Sequence, residues 1–490
     1  MEPKTETAVV RAETEALRVE ELPMWRMLLF SLGQFGWSLS AFAVGSLLNY
    51  YYFPPIVDGA PAFPVRIFQG AVVGVLTILG LSSFAGRLFD AITDPWIAVL
   101  SDRSKRPFGR RRFFMLIGAF PAALFSVLVF TPPVHGVSPL NAVWLLVTLL
   151  AFYLFMTIYT IPYGALIPEL GCDSKKRLIL ATLTSITWAV GFFVGNSAYA
   201  LKDLFQSAGL SPDHAFVLVV ALFAAIGFLA MMLPVLFIDE RRFCRKTHSE
   251  EGAFQALFGA LRNREFRIVL LGQFAYYAAN AFLEIGIVYY VTILMRLPES
   301  DAFTLMAVMF VASFALYPLV LAGARRFGKK NMMVMAFAVQ SLVFAMMAVT
   351  GKVPFLSAKT WGWTIILVQT IPAAVTGILA TAIIADIARA DGVRTGNHKE
   401  AVFYASNTFA MKMATSLSNL VFPSLLLLGR SVDNDVGVRM TCAVALALCI
   451  AACWGFTKYR EEIVEADLAT ERIEIVNADI GKKQRRGVRR

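Results

Sequence analysis

Charged side chains are scarce in this chain: Asp, Glu, Lys and Arg make up 16% of its 490 residues, against 58% hydrophobic. The mean hydropathy is +0.64, far outside the balance of a water-soluble globular domain. Histidine is rarer still, at four scattered positions with no HExxH and no Cys/His ligand spacing, which excludes a zinc or hydrolytic centre. No GxxxxGK[ST] loop is present, so the chain has no phosphate cradle with which to drive work from ATP. The five cysteines, Cys172, Cys244, Cys442, Cys449 and Cys453, form no CxxC, and a disulfide framework is not expected. The opening MEPKTETAVVRAETEALRVEELP mixes acids and bases without an apolar core, and residues 1–24 read as a cytosolic leader rather than a signal or import peptide.

What the sequence does have is long apolar runs. Stretches able to span a bilayer lie near 25–53, 67–101, 113–131, 142–168, 178–201, 214–238, 266–295, 303–324, 332–350, 361–388, 401–429 and 439–457. These make an all-α integral membrane protein of about twelve transmembrane helices. The net charge of +11 is concentrated in alternate connectors, SDRSKRPFGRRR, DSKKR, ERRFCRK and ARRFGKK, and after the last span. By the positive-inside rule those connectors, and with them both termini, are expected on the cytoplasmic side. The other connectors, such as PPIVDGAPAF and PPVHGVSPLN, are rich in turn formers and poor in Lys and Arg.

Internal repetition divides the chain. LGQF at Leu32–Phe35 returns at Leu271–Phe274, Tyr50–Tyr51 returns at Tyr289–Tyr290, and GRRRFF after the second span is echoed by GKKNMM after the eighth. The expected organisation is the leader, a six-helix bundle over 25–238, a linker over 239–265, a second bundle over 266–457 and a charged tail over 458–490. Within the linker Phe254, Leu257, Phe258 and Leu261 recur at helical spacing beside basic residues, as in a helix lying on the membrane surface.

The second span, RLFDAITDPW, is anomalous. Arg87, Asp90 and Asp94 stand at i, i+3 and i+7, so they share one helix face, and each charge at bilayer depth costs about 2.5–3.5 kcal/mol on insertion scales. Arg87 could neutralise one aspartate as a structural pair, but it cannot neutralise both. A sodium ion on carboxylate and hydroxyl oxygens, or a proton on one aspartate, completes the balance, and both readings make the face a cation binder. Thr93 and Pro95 offer a further oxygen and a bend, and Thr157 and Thr160 in MTIYTIPYGALIP are additional candidates. Lys412 in NTFAMKMATSLSNL lies deep in the eleventh span and is expected to face the cavity. Glu284 in ANAFLEIGIVYY is read either as a proton or substrate site or as a carboxylate paired with a polar neighbour. Asp102 could pair with arginines of its own loop or of another helix end when that side closes.

RLFDAITDPWIAVLSDRSKRPFGRRR and ADIARADGVRTGNHKEAVFYASNTFAMK resemble the two hallmark segments of the glycoside–pentoside–hexuronide:cation symporters, the melibiose-permease branch of the major facilitator fold. The same residues resemble the sodium-dependent lysophosphatidylcholine symporters. The resemblance implies that Asp90 and Asp94 hold the coupling cation, as metal ligands if it is Na⁺, with Thr157 supplying a hydroxyl and Thr93 standing where melibiose permease has asparagine. It implies coupling roles for Arg87 and Lys412. The two acids that grip a galactoside in melibiose permease are replaced by Ser38 and Thr160, its stacking aromatic by Gly164, and its fifth-span arginine near Thr184. A different grip on the solute is therefore expected, from Gln34, Trp37, Ser38, Asn49, Thr160, Trp188, Glu284 and Thr408. The function implied is cation-coupled (Na⁺ or H⁺) symport of a sugar, glycoside or lysolipid-like amphiphile by alternating access, by a monomer in the cell membrane. The alternatives are a proton-driven exporter and a non-transporting scaffold. No enzyme activity, no cofactor beyond the coupling ion and no nucleic-acid partner are expected; the partners are the solute and membrane lipid.

Overall fold

The computed structural model describes residues 21–104, 106–170, 174–244, 260–352, 357–395 and 400–469. Cys172, the surface helix expected near Phe254–Leu261 over its first residues, and the tail beyond 469 lie outside them. Twelve long helices carry the described residues: α1 (Met24–Tyr52), α2 (Ile78–Arg103), α3 (Arg110–Leu128), α4 (Pro139–Leu170), α5 (Ser174–Asn196), α6 (Pro212–Phe237), α7 (Arg264–Tyr289), α8 (Ser300–Phe327), α9 (Lys329–Ala348), α10 (Ala358–Thr395), α11 (Glu400–Leu426) and α12 (Val436–Thr457). Ten spans among the described residues are long and apolar enough to cross a membrane; α2 and α11, although 26 and 27 residues long, are the two that fall short, because their polar residues interrupt the apolar windows. Turn after turn of internally paired backbone is what a chain in lipid requires, since no water is present to satisfy a free amide.

One expected span is corrected. The apolar run from residue 67 is not helical until Ile78: strands β1 (Ile56–Val57) and β2 (Ala60–Pro61) pair antiparallel, and so do β3 (Ala71–Val73) and β4 (Leu76–Thr77). A short uncharged run rich in valine fits a strand as well as a buried helix, and the glycines at 70 and 74 tip the balance toward a hairpin. At the other end α10 continues to Thr395, beyond the expected 388, because ADGVRT extends the helix past the apolar stretch.

The chain forms two compact units, one of Met1–Gly45, Phe89–Pro133 and Val143–Glu250, the other of Ser46–Leu88, Val134–Ala142 and Glu251–Arg490. In the first, the core gathers Phe30, Met115, Tyr159, Tyr163, Met231 and Val235. Phe30 and Tyr163 stack with ring centroids 4.4 Å apart, and each buried tyrosine hydroxyl donates to a backbone carbonyl, Tyr163 to Phe30 at 2.8 Å and Tyr159 to Met231 at 3.0 Å. That is how an amphipathic ring is buried without stranding its polar end. Helices α1 and α6 touch backbone to backbone: a β-carbon on Gly36 would lie 2.4 Å from the Gly227 carbonyl oxygen, and one on Gly227 would lie 2.9 Å from the Gly36 oxygen. Small residues at such crossings replace the hydrophobic drive that lipid cannot provide.

In the second unit Phe266, Met333, Phe337, Val375, Ile383 and Phe456 form the core. Helix α7 ends in a π-turn, Tyr290–Leu294, and the Tyr289 hydroxyl beside it donates to the carbonyls of Asn49 (2.9 Å) and Phe53 (2.6 Å) at the end of α1. The four cysteines among the described residues are free. Burial pushes the Cys244 thiol well up, so it stays protonated and unreactive.

Candidate functional site

Helix α2 brings Asp90 to face Thr157 of α4. The Thr157 hydroxyl, itself fully buried, donates to Asp90 Oδ1 at 2.6 Å and lies 3.4 Å from Asp94 Oδ1. One hydroxyl thus sits between two carboxylates one turn apart, in the first unit. Asp90 is 5% exposed, whereas Asp94 is half-buried, so the pair is graded from interior to opening. Thr93 is buried beside them, but its hydroxyl donates to the Phe89 (2.9 Å) and Asp90 (3.1 Å) carbonyls of its own helix, leaving lone pairs as its only spare capacity.

The remaining sequence candidates divide. In the second unit Glu284 accepts from Asn280 Nδ2 at 2.7 Å, which is the polar-neighbour alternative for that residue, and the Arg87 guanidinium acts on it electrostatically. Lys412 and Arg87 are half-buried. Thr408 is exposed and donates to the Tyr404 carbonyl at 3.0 Å. Asn49 is fully buried, and neither end of its amide has a hydrogen-bond partner among the described residues.

In the first unit a cavity of about 320 Å³ is lined by Gln34, Ile167, Thr184, Ser185 and Trp188. Trp188 stacks on Phe192, ring centroids 5.6 Å apart and planes 20° apart, and is 42% exposed, so its other face is open. Thr184 and Ser185 donate to the Ala181 carbonyl at 2.9 Å each and present acceptor lone pairs only. Trp37 packs instead against the core, and Ser38 is spent on helix contacts, donating to the Phe35 and Trp188 carbonyls at 3.1 Å each. Thr160 is half-buried on α4.

A second cluster gathers where the basic connectors meet the helix ends. Asp102 accepts from Arg111 at 2.9 Å, Arg111 also reaches Glu169 at 3.0 Å, and Arg110 bridges Glu169 (2.6 Å) and Glu240 (3.2 Å). Glu240 also caps α3, accepting from the amides of Arg111 at 2.9 Å and Arg112 at 3.4 Å. The second unit repeats the device: Glu461 accepts from the Lys329 and Lys330 amides at 2.8 and 2.9 Å, capping α9, and Lys329 pairs with Asp386. Each capped helix is preceded by a glycine at positive φ, Gly109 at 112° and Gly328 at 84°. A β-carbon there would come within 2.7 Å of Glu240 Oε2 and 2.9 Å of Glu461 Oε2 respectively. Sequence reasoning places Asp102 beside arginines of its own loop but misses Glu169, Glu240 and Glu461. Their local sequences, ALIPEL, FIDE and KYRE, mark only the close of an apolar run and do not name the helix end that each acid meets.

Twelve long helices among the described residues, ten of them apolar enough to cross a membrane, together with the family match, make this a membrane transporter of the major facilitator fold and not an enzyme. Residues 29–453 match the family model described as MFS/sugar transport protein, and the chain belongs to that family. A glucuronide carrier protein homolog of Escherichia coli K12 is 23% identical over 472 residues, covering 90% of this chain and 95% of that one. An uncharacterized symporter of Synechocystis sp. is 30% identical over 258 residues, 51% of this chain and 42% of the relative's length. Among solved structures the nucleoside transporter NupG superposes with a TM-score of 0.62 at 11% identity, covering 89% of this chain and 99% of that one, a likeness of fold alone.

Proposed function

We propose that the chain is a cation-coupled symporter that carries a neutral, ring-bearing solute such as a glycoside by alternating access, and that Asp90, Asp94 and Thr157 hold the coupling ion. The observation that carries the reading is the Thr157 hydroxyl set between the two carboxylates at 2.6 and 3.4 Å. Two carboxylates and a hydroxyl are a hard, oxygen-only donor set suited to Na⁺ or to a proton shared with one acid. Bound positive charge removes the repulsion between the aspartates, so ion binding changes the energy of the helix face that the solute-loaded state also requires; each ligand then raises the other's affinity. Arg87, three residues before Asp90 on the same helix, is a fixed positive charge in the sequence neighbourhood of the acids.

The solute is assigned to the cavity at Gln34 and Trp188. An open indole face offers stacking to the apolar face of a sugar ring, and Gln34, Thr184 and Ser185 offer neutral hydrogen bonds. Among the described residues none of the lining side chains is basic, which disfavours an acidic sugar, the solute in the name of the Escherichia coli relative. The protein is placed in the cytoplasmic membrane as a monomer, with both termini and the basic connectors inside.

Purified protein in liposomes, offered neutral glycosides, glucuronides and lysolipids under imposed Na⁺ and H⁺ gradients, tests the assignment. Concentrative uptake of a neutral glycoside driven by one gradient is expected; efflux against an inward proton gradient, or uptake of lysolipid alone, overturns it. Trp188→Ala is expected to raise the KM for that glycoside about tenfold, the size of a lost stacking contact, with Trp188→Phe close to wild type. An equal KM in all three proteins removes the indole from the solute site.

A further inference from the structure

We propose that the β3–β4 hairpin of the α1–α2 connector is a membrane-surface anchor, seated at the headgroup–acyl boundary of the leaflet opposite the basic connectors, with lipid as its partner. The inference is independent of what the protein transports. From Ile67 to Gly86 the sequence has no charged residue, yet β3 and β4 are not part of the spanning helix. Their apolar side chains are turned outward: Phe68 is 52% exposed, Val72 53%, Val73 59% and Val75, at the tip, 73%. Three valines on one short hairpin and a phenylalanine just before it would be poorly placed in water, which favours burying apolar surface of this kind.

The base of the hairpin is fixed. Gln69 donates to the Tyr52 carbonyl at 2.9 Å and accepts from Arg430, and Thr77 is fully buried with its hydroxyl oxygen accepting the Gly80 amide at 3.1 Å. The apolar tip is therefore held out rigidly from an anchored root. Directly after it α2 begins, and the exposed residues of α2, Leu88, Ile92, Trp96, Val99 and Leu100, follow one another at helical spacing as an apolar stripe of the kind a spanning helix turns to lipid.

Depth follows from length. Counting back from Asp102, at the basic end of α2, to Ile78 is roughly 36 Å of helix at about 1.5 Å per residue, slightly more than a hydrocarbon core of about 30 Å. The hairpin falls at the far boundary. Its backbone agrees, because β3 and β4 pair only with each other among the described residues, Ala71 with Thr77 and Val73 with Leu76, and their outer edges need the water of the interface. Valine side chains below that level and wetted peptide edges at it match the position of interfacial segments.

The test uses the full chain in liposomes with Val75→Cys carrying an environment-sensitive NBD fluorophore, the wild-type protein reporting any labelling of native cysteines. The expected result is blue-shifted emission, strongly quenched by nitroxide lipids with shallow labels and little by aqueous iodide. Quenching by iodide with indifference to nitroxide lipid would overturn the proposal, and so would oxidant-induced dimerisation of the Val75→Cys protein, which would make the hairpin a contact between copies. A Val72→Ser/Val73→Ser/Val75→Ser variant carrying NBD at Leu76→Cys supplies the second reading: loss of the lipid quenching with retained expression is expected, and unchanged quenching would overturn the assignment of those valines.

Discussion

Asp90→Asn is expected to abolish cation-driven uptake while leaving the protein folded and in the membrane. Asparagine keeps the shape of the side chain and an oxygen for the Thr157 hydroxyl, so the 2.6 Å contact between α2 and α4 can persist. What disappears is one full negative charge facing the ion. At about 4 Å and an effective dielectric near 20 that charge is worth about 4 kcal/mol, on the order of a thousandfold in ion affinity. Thr157→Val tests the same site more gently: a hydrogen bond to an ionised group contributes about 1.5–3 kcal/mol, so the ion concentration for half-maximal uptake should rise roughly ten- to a hundredfold. The check is uptake into liposomes as a function of imposed Na⁺ and H⁺ gradients. An Asp90→Asn protein whose uptake still follows the gradient removes the ion from this site.

The second large effect concerns stability. Glu240 is 7% exposed and holds the start of α3 in two ways, accepting from the Arg111 and Arg112 amides and pairing with the Arg110 guanidinium. Glu240→Ala leaves the first turn of α3 uncapped and a largely buried arginine short of a partner, a loss of about 3–5 kcal/mol. Glu461→Ala should behave alike at the start of α9, since it holds the Lys329 and Lys330 amides in the same way. Asp102→Asn is the contrast: that carboxylate is 48% exposed, and the buried Arg111 keeps Glu169 as a partner at 3.0 Å, so under about 1 kcal/mol should be lost. Thermal unfolding in detergent, followed by loss of the monodisperse peak, measures all three. Equal melting of the wild type and Glu240→Ala would show that the cap is not a structural support.

Much of this architecture is legible in the sequence because lipid imposes a simple rule: a spanning segment must be helical, long and apolar. The span limits near 113–131, 142–168 and 332–350 differ from α3, α4 and α9 by a few residues at each end. The rule fails at residues 67–77, where the segment is apolar without crossing, so hydropathy alone could not separate strand from helix. The candidate site is legible to a different degree. Arg87, Asp90 and Asp94 announce themselves by charge, whereas Thr157 is one of many threonines in membrane helices and is singled out by resemblance. The Glu240 and Glu461 caps depend on which helix ends meet, a tertiary fact that no local pattern in FIDE or KYRE encodes. The cavity at Trp188 likewise needs α1, α4 and α5 side by side before Gln34, Ile167 and Thr184 share a wall.

The same polarity that equips α2 creates a difficulty during synthesis. Its ten Leu, Ile, Phe and Val residues favour entry into lipid by roughly 5 kcal/mol in all, while Arg87, Asp90 and Asp94 oppose it by roughly 8–10 kcal/mol if placed near the centre. Offered alone to the insertion machinery, this segment would be rejected. By that balance the segment enters lipid only in company, with a neighbouring helix sharing the burden of its charged face.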